Sequence, residues 1–181
     1  GTRVLVNRRG RPDMRRLKAL VKQIAELHRA GKQVIFVSSG AVGTGVEALG
    51  MKARPKKLPD LQMAAAVGQV RLMARYETLF AEEKLTIAQV LVTHEDLKNR
   101  TRHLNIRNTL LNLLEHNIVP ILNENDAVSV DSLKIGDNDV LASLVTLLTG
   151  ADLMVLLSTT DGLRAPASAG RTKRVNYLPS V

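Results

Sequence analysis

The sequence predicts an α/β fold, in which a mostly parallel open sheet lies between helices on both of its faces. Two observations lead to this prediction. Short apolar runs typical of buried strands alternate with longer segments whose apolar residues recur at helical spacing. In addition, three polar loops, at residues 38–45, 123–139 and 158–161, each follow a predicted strand. Right-handed crossovers bring the carboxyl ends of parallel strands to one edge, so we expect these loops to converge there.

The composition fits one domain and excludes several kinds of site. A chain of 181 residues is long enough for one hydrophobic core. Cysteine is absent, which rules out disulfides, thiolate metal ligands and a cysteine nucleophile, and we expect a cytoplasmic protein. Aromatic residues make up only 2% of the chain, too few for a surface that stacks nucleic-acid bases. No apolar run reaches the roughly 18 residues needed to span a bilayer, so we expect no membrane association.

In the first part of the chain, the sequence predicts one strand before a helix and one strand after it. Residues 2–6 have strand composition, and the apolar positions from Met14 to Leu27 recur at helical spacing. Gly31 stands where a C′ glycine ends such a helix, and residues 34–37 read as a short buried strand. The loop after this strand, SSGAVGTG, matches neither the Walker A nor the dinucleotide-binding glycine pattern. A tight turn explains its glycines as well as a ligand loop does.

The remaining elements continue the alternation. Helices are predicted at residues 61–83, 102–116 and 140–148, and strands at residues 85–92, 118–122 and 153–157. A basic linker with two prolines precedes the first of these helices, whose small residues at 64–68 permit close packing. Residues 93–96 are expected to cap a helix, and Gly150 to end one. After residue 164 no periodic pattern remains.

Two polar clusters follow the buried strand at residues 118–122: NENDAV at residues 123–128 and GDND at residues 136–139. Asp and Asn are preferred N-cap residues, so one such cluster would be explained by capping alone. Two clusters within one loop exceed what capping requires. Carboxylates at this edge suit a cationic group, such as an amine or Mg²⁺, and amides suit a carboxylate or a hydroxyl.

The titratable residues favour phosphoryl transfer over hydrolysis or zinc chemistry. The four histidines are scattered without metal-ligand spacing, and none stands in a recognisable relation to Ser39. A site of carboxylates, amides and glycine-rich turns suits phosphoryl transfer, which depends on positioning and charge neutralisation. The net charge of +9 is explained most simply by solvated basic loops, with phosphate attraction as the alternative.

Several runs of the sequence resemble the amino acid kinase family, and within it the glutamate 5-kinases. These runs are VSSGAV at residues 37–42, AAAVGQ at 64–69, NIVP at 117–120 with NENDAV at 123–128, and KIGDND at 134–139. The resemblance covers nearly the whole chain. It implies the three-layer amino acid kinase fold and ATP-dependent phosphorylation of the γ-carboxylate of L-glutamate, the first step of proline biosynthesis. ATP and Mg²⁺ are the implied cofactors.

The resemblance also implies roles for individual residues. Asp126 and Asp137 would pair with the ammonium group of glutamate, and Asp139 would organise phosphate-binding lysines. Ser158 and Thr159 occupy the position of a nucleotide-contacting pair, although the family usually has Thr-Asp there. No residue of the chain is expected to ligate a metal directly. The complete set of expected glutamate contacts is Ser39, Gly40, Asn123, Asp126, Asp137 and Asn138.

Two departures from the family pattern concern phosphate-facing lysines. The family's initial Lys-x-Gly-Ser/Thr and its late G-x-G-G-M-x-x-K segment are not found in residues 1–181. We therefore expect one amino acid kinase domain without its first strand, its last nucleotide-binding segment or a PUA domain, and poor phosphorylation by these residues alone. The family further implies a homodimer or homotetramer, inhibition by proline in many members, and no nucleic-acid partner.

Three alternatives stay open from the sequence. The first is another acyl-phosphate-forming kinase, such as an acetylglutamate or carbamate kinase, against which the GDND run argues. The second is a basic nucleic-acid-binding module, which the scarcity of aromatic residues and the acidic centre disfavour. The third is a catalytically inert homologue, distinguished by whether ATP and glutamate bind.

Overall fold

The structure is a computed structural model that describes residues 13–129 and 138–159, together with the backbone of residues 164–166 and 172–174. The predicted strand at residues 2–6 and the site candidate Asp137 lie outside the described residues. In chain order the elements are α1 (Met14–Arg29), β1 (Phe36–Val37), α2 (Ala41–Ala48), α3 (Leu58–Glu82), β2 (Ile87–Val92), α4 (His94–Lys98), α5 (Arg100–Glu115), β3 (Val119–Glu124), α6 (Asn138–Thr149), β4 (Arg164–Pro166) and β5 (Thr172–Arg174).

Strands β1, β3 and β2 form a parallel sheet with β3 in its centre. The register pairs Ile121 with Phe36 on one side and with Gln89 on the other. Every residue of β3 is buried, as is usual for a central strand covered on both faces. The parallel pairing confirms the sheet type predicted from the alternation of strands and helices.

Alternate residues of β3 point to opposite faces of the sheet and divide the core into two clusters. Val119 and Ile121 pack with buried side chains of α1 and α3, including Phe80. Leu122 packs with buried side chains of α5 and α6, including Leu141. Helices therefore cover both faces of the sheet, which confirms the predicted three-layer arrangement.

Helices α2 and α3 cross so closely that their backbones are in contact. A Cβ atom at Gly45 would stand 1.7 Å from the carbonyl oxygen of Ala64, and one at Gly68 would stand 1.8 Å from that of Ala41. Neither distance is compatible with a side chain, so both glycines are required by packing. The small residues predicted to allow close approach do so here, and the contact fixes the start of α2, which follows the end of β1.

Polar side chains and glycines set the ends of the helices. The Asp13 carboxylate accepts hydrogen bonds from two N–H groups of the first turn of α1, and the Asn99 side-chain oxygen accepts one from the first turn of α5. Thr93 forms a capping box at the start of α4, as predicted. Gly31 and Gly150 have φ angles of +76° and +66° after α1 and α6, which confirms the helix stops expected at these glycines.

The apolar run at residues 153–157 is not a strand, so that prediction was wrong. The segment has no regular structure and its side chains are exposed, Leu153 by 78%. An apolar run becomes a buried strand only where another strand lies beside it, and no strand within the described residues pairs with this segment. In contrast, β4 and β5 form an antiparallel pair in the region where the sequence showed no pattern.

No helix in the described part of the chain is both long and apolar enough to cross a membrane.

Candidate functional site

Three segments distant in sequence meet at the carboxyl edge of the sheet. The backbone N–H of Ser38, which follows β1, donates to the carbonyl of Leu122 in β3 at 2.8 Å. The Nδ2 group of Asn138, the first residue of α6, donates to the Ser38 carbonyl at 2.6 Å and to Oδ1 of Asn123 at 3.1 Å. One side-chain amide thus joins the ends of β1 and β3 to the start of α6.

Asn123 is a deeply buried polar residue of this junction, with 2% of its surface exposed. Its Nδ2 donates to Oε1 of Gln69 in α3 at 2.8 Å, and its Oδ1 accepts from the N–H of Glu124 at 3.0 Å as well as from Asn138. The amide therefore has its donor side toward α3 and its acceptor side toward α6. Burial without these partners would be costly, so the network fixes the side chain in one orientation.

Tyr76 of α3 contacts the turn between β1 and α2 through a hydrogen bond. Its phenol lies 2.8 Å from the Ser38 hydroxyl in the buried interior. Burial raises the pKa of Tyr76 to about 12, and the Ser38 hydrogen bond only partly offsets this. Gly40 has φ +103°, a conformation that favours glycine, and it leads directly into α2. Half-buried Ser39 and Gly40 therefore lie at the edge where β1 ends.

A hydrogen-bonded turn follows β3 and carries Asp126. The N–H of Asn125 donates to the carbonyl of Val92 in β2 at 2.8 Å, and the Asn125 carbonyl accepts from Val128 at 3.1 Å and Ser129 at 3.0 Å. These bonds hold the turn against the end of β2. Asp126 is half-buried within it.

A contact between a buried carboxylate and a half-buried histidine at this edge was not found from the sequence. Glu124 is 5% exposed, and its Oε2 lies 3.3 Å from Nδ1 of His94, the first residue of α4. In the described part of the structure its Oε1 is buried without a hydrogen-bond partner. The pair forms because Val92 and Glu124 are register partners, so the residues that follow β2 lie beside the end of β3. That register is not visible in the sequence.

A second carboxylate near this edge, that of Asp96, forms part of the capping box at the start of α4. Burial of Asp96 opposes its charge, but the hydroxyl and N–H of Thr93 and the guanidinium of Arg102 lower its pKa below the ordinary value. Asp96 is thus kept ionised and directed toward its own helix cap, which leaves it a structural role beside the site.

The structure brings most of the predicted site residues to one edge. Ser39 and Gly40 follow β1, Asn123 ends β3, and Asp126 lies in the next turn. Asn138 and Asp139 lie in the first turn of α6, where the sequence predicted a loop, because the helix begins two residues earlier than expected.

The other candidates are less closely tied to this edge. Asp139 is exposed, and Ser158 and Thr159 lie in the exposed segment after α6. Their assigned roles stay predictions. Among the described residues, no three His, Cys, Asp or Glu side chains are grouped as a metal site would require.

Comparison with known proteins gives consistent matches. The model of the amino acid kinase family matches residues 1–177. The chain is 48% identical to glutamate 5-kinase of Clostridium acetobutylicum over 163 residues, covering 90% of this chain and 61% of that protein. It is 47% identical to the Moorella thermoacetica enzyme of the same name over 163 residues, covering 90% of the chain and 43% of that protein.

A further relative is aligned along the whole chain. The glutamate 5-kinase of Clostridium tetani is 46% identical over 183 residues, covering 100% of this chain and 68% of that protein. Across these three relatives, the chain therefore spans between 43% and 68% of the relative's length.

Proposed function

This chain belongs to the amino acid kinase family, and from that premise we propose that the protein transfers the γ-phosphoryl group of ATP to the γ-carboxylate of L-glutamate. The product would be L-glutamyl 5-phosphate, the first intermediate of proline biosynthesis. The observation that supports this most is the hydrogen-bonded junction of Ser38, Asn123 and Asn138, which holds two side-chain amides together at one sheet edge. In open α/β sheets, ligands bind outside the carboxyl ends of the strands.

The groups at this edge match the three polar parts of glutamate. The Asp126 carboxylate pairs with the substrate ammonium, and Asp137 is proposed to share that task. Asn123 and Asn138 fix the edge against which glutamate lies and contact it with their amides. Ser39 and Gly40 contribute a hydroxyl and a backbone N–H close to a substrate carboxylate.

The transfer needs charge neutralisation more than a base. The γ-carboxylate is already ionised at neutral pH and attacks phosphorus directly, while ADP leaves. The negative charge on the transferred group is stabilised by fixed donors. Asp139, on the first turn of α6, organises the lysines that face the phosphates, and Ser158 and Thr159 contact the nucleotide.

Mg²⁺ is part of the same proposal. Its preferred ligands are oxygen atoms, and it commonly binds through phosphates, water and one or two carboxylates. Among the described residues, no group of three or more His, Cys, Asp or Glu side chains could hold the ion, so we propose that the phosphates and water supply most of its ligands. When bound, Mg²⁺ would neutralise the β- and γ-phosphates. The chain's own residues hold glutamate in line.

The family also supports three broader proposals. The protein acts in the cytoplasm, it assembles as a homodimer or homotetramer, and proline inhibits it. Each is open to a separate measurement: cell fractionation, sedimentation, and the glutamate dependence of the rate in the presence of proline.

Coupled ADP release by the full-length protein tests the proposed reaction. We expect turnover with L-glutamate and little with N-acetylglutamate. Preference for N-acetylglutamate would instead identify an acetylglutamate kinase. Binding of ATP and glutamate without turnover would identify an inert homologue.

Asp126→Ala tests the assignment of the ammonium site. The variant should raise the KM for glutamate far more than the KM for ATP, because the nucleotide does not contact this carboxylate. Glu115→Ala is the matched control, since exposed Glu115 ends α5 at the opposite edge of the sheet. An equal rise of both KM values in Asp126→Ala would contradict the assignment.

A further inference from the structure

Gln69 lies at the functional edge although it belongs to α3, a helix that otherwise packs against the core. It directly follows Gly68, where the absence of a side chain lets α3 touch the backbone of α2. This contact brings the Gln69 side chain to the end of β3. There its Oε1 accepts a hydrogen bond from Nδ2 of buried Asn123 at 2.8 Å.

The bond has a direction that determines the rest of the network. A side-chain amide has one donor side and one acceptor side. Because Nδ2 of Asn123 donates to Gln69, its Oδ1 remains to accept from the N–H of Glu124 and from Nδ2 of Asn138. The reversed amide would set its NH₂ group against two donors and an acceptor oxygen against Oε1 of Gln69.

The orientation of the Asn123 amide also determines how Asn138 is held. An amide nitrogen carries two hydrogens, and those of Asn138 are both used, by Ser38 and by Asn123. Asn138 can therefore offer a ligand only its acceptor oxygen, Oδ1. An acceptor oxygen binds a donor, and the donor of an α-amino acid is its ammonium group.

We infer that Gln69 is a positioning residue for substrate recognition: it orients the Asn123 amide, which holds Asn138 with its oxygen toward the substrate ammonium. The inference rests on the proposed function, and it deepens it by assigning Asn138 to the amine rather than to a carboxylate. Gln69 itself acts through Asn123, so its loss affects glutamate binding without touching ATP.

Two variants of the full-length protein separate this role from packing. Gln69→Met keeps the length of the side chain but removes the acceptor, and we expect the KM for glutamate to rise about tenfold, the factor of one net hydrogen bond. The KM for ATP should change less than about twofold. Gln69→Glu keeps an acceptor oxygen at the same place, so we expect its KM for glutamate to stay within about threefold of wild type.

Gln62→Met is the matched control, since Gln62 lies two turns earlier on the same helix, and it should leave both KM values unchanged. Thermal melting of each variant checks that it is folded. The inference is overturned if Gln69→Met binds glutamate normally, or if folded Gln69→Glu is as impaired as Gln69→Met. Wild-type protein without glutamate-dependent turnover would overturn the proposed function and this inference together, whereas an active wild type with an unaffected Gln69→Met would overturn this inference alone.

Discussion

Replacing Gly68 with alanine tests the packing that holds the site. In an ordinary helix, Gly→Ala stabilises by about 1 kcal/mol through helix propensity. Here the new Cβ would stand 1.8 Å from the Ala41 carbonyl oxygen and 2.4 Å from the N atom of Gly45. Both are backbone atoms, which cannot move aside as a flexible side chain would. The helices must separate instead.

The expected loss follows from these two terms. Overpacking of a well-packed interior costs about 1–3 kcal/mol, and the backbone clash puts Gly68→Ala at about 3 kcal/mol. After subtraction of the propensity gain, the net loss is about 2 kcal/mol. For a chain of this size that corresponds to a fall in Tm of roughly 4–8 °C.

Calorimetry or urea unfolding measures this loss, and Ala66→Gly on the exposed face of α3 is its control. The control reports helix propensity alone, because Ala66 is exposed. We expect Ala66→Gly to lower stability by about 1 kcal/mol. If Gly68→Ala raises the Tm, the gain in helix propensity exceeds the steric cost of the added Cβ atom. That result would refute the close crossing of α2 and α3.

Two further predictions concern buried and capping hydroxyls. Because burial raises the pKa of Tyr76 from 10.0 to about 12, its neutral form stabilises the fold fully below pH 10, and this contribution, about 3 kcal/mol, is lost as the pH rises to about 12. In urea unfolding, the free energy of unfolding of Tyr76→Phe should therefore fall less than that of wild type as the pH rises into this range. Thr93→Ala removes the capping box of α4, so we expect a loss of about 1 kcal/mol and a rise in the pKa of Asp96, measured by NMR titration.

Each of these variants has a comparison that isolates its cause. If the free energy of unfolding falls with pH to the same extent in wild type and in Tyr76→Phe, ionisation of the Tyr76 phenol does not cause the alkaline loss. For the cap, Thr78→Ala changes the same residue type on an exposed face of α3 and should cost nothing. If Thr93→Ala is equally neutral, the cap does not stabilise α4.

The strand ends and the polar clusters were predictable because they depend on local patterns. The run at residues 118–122 is apolar and followed directly by the polar residues NEND, which is enough to place a buried strand with a polar end. The hydrogen bond between Asn123 and Gln69 was not predictable. The neighbours of Gln69 form a small-residue motif that suggests packing, and only the crossing of α2 and α3 shows that the same motif delivers an amide to Asn123.

Tertiary partners explain the remaining differences. The run at residues 153–157 has strand composition, yet composition does not supply a neighbouring strand. His94 pairs with Glu124 only because β2 and β3 are aligned so that Val92 lies opposite Glu124. Register and pairing of this kind join residues that the sequence keeps about thirty positions apart.

The most direct test of the shared edge is a pair of titrations of Asn138→Ala with glutamate and with ATP. Asn138 joins the ends of β1 and β3 to α6 and is proposed to face the substrate amine. We expect the Kd for glutamate to rise at least about tenfold while the Kd for ATP changes by less than about twofold. Wild-type affinity for glutamate in folded Asn138→Ala would contradict the account.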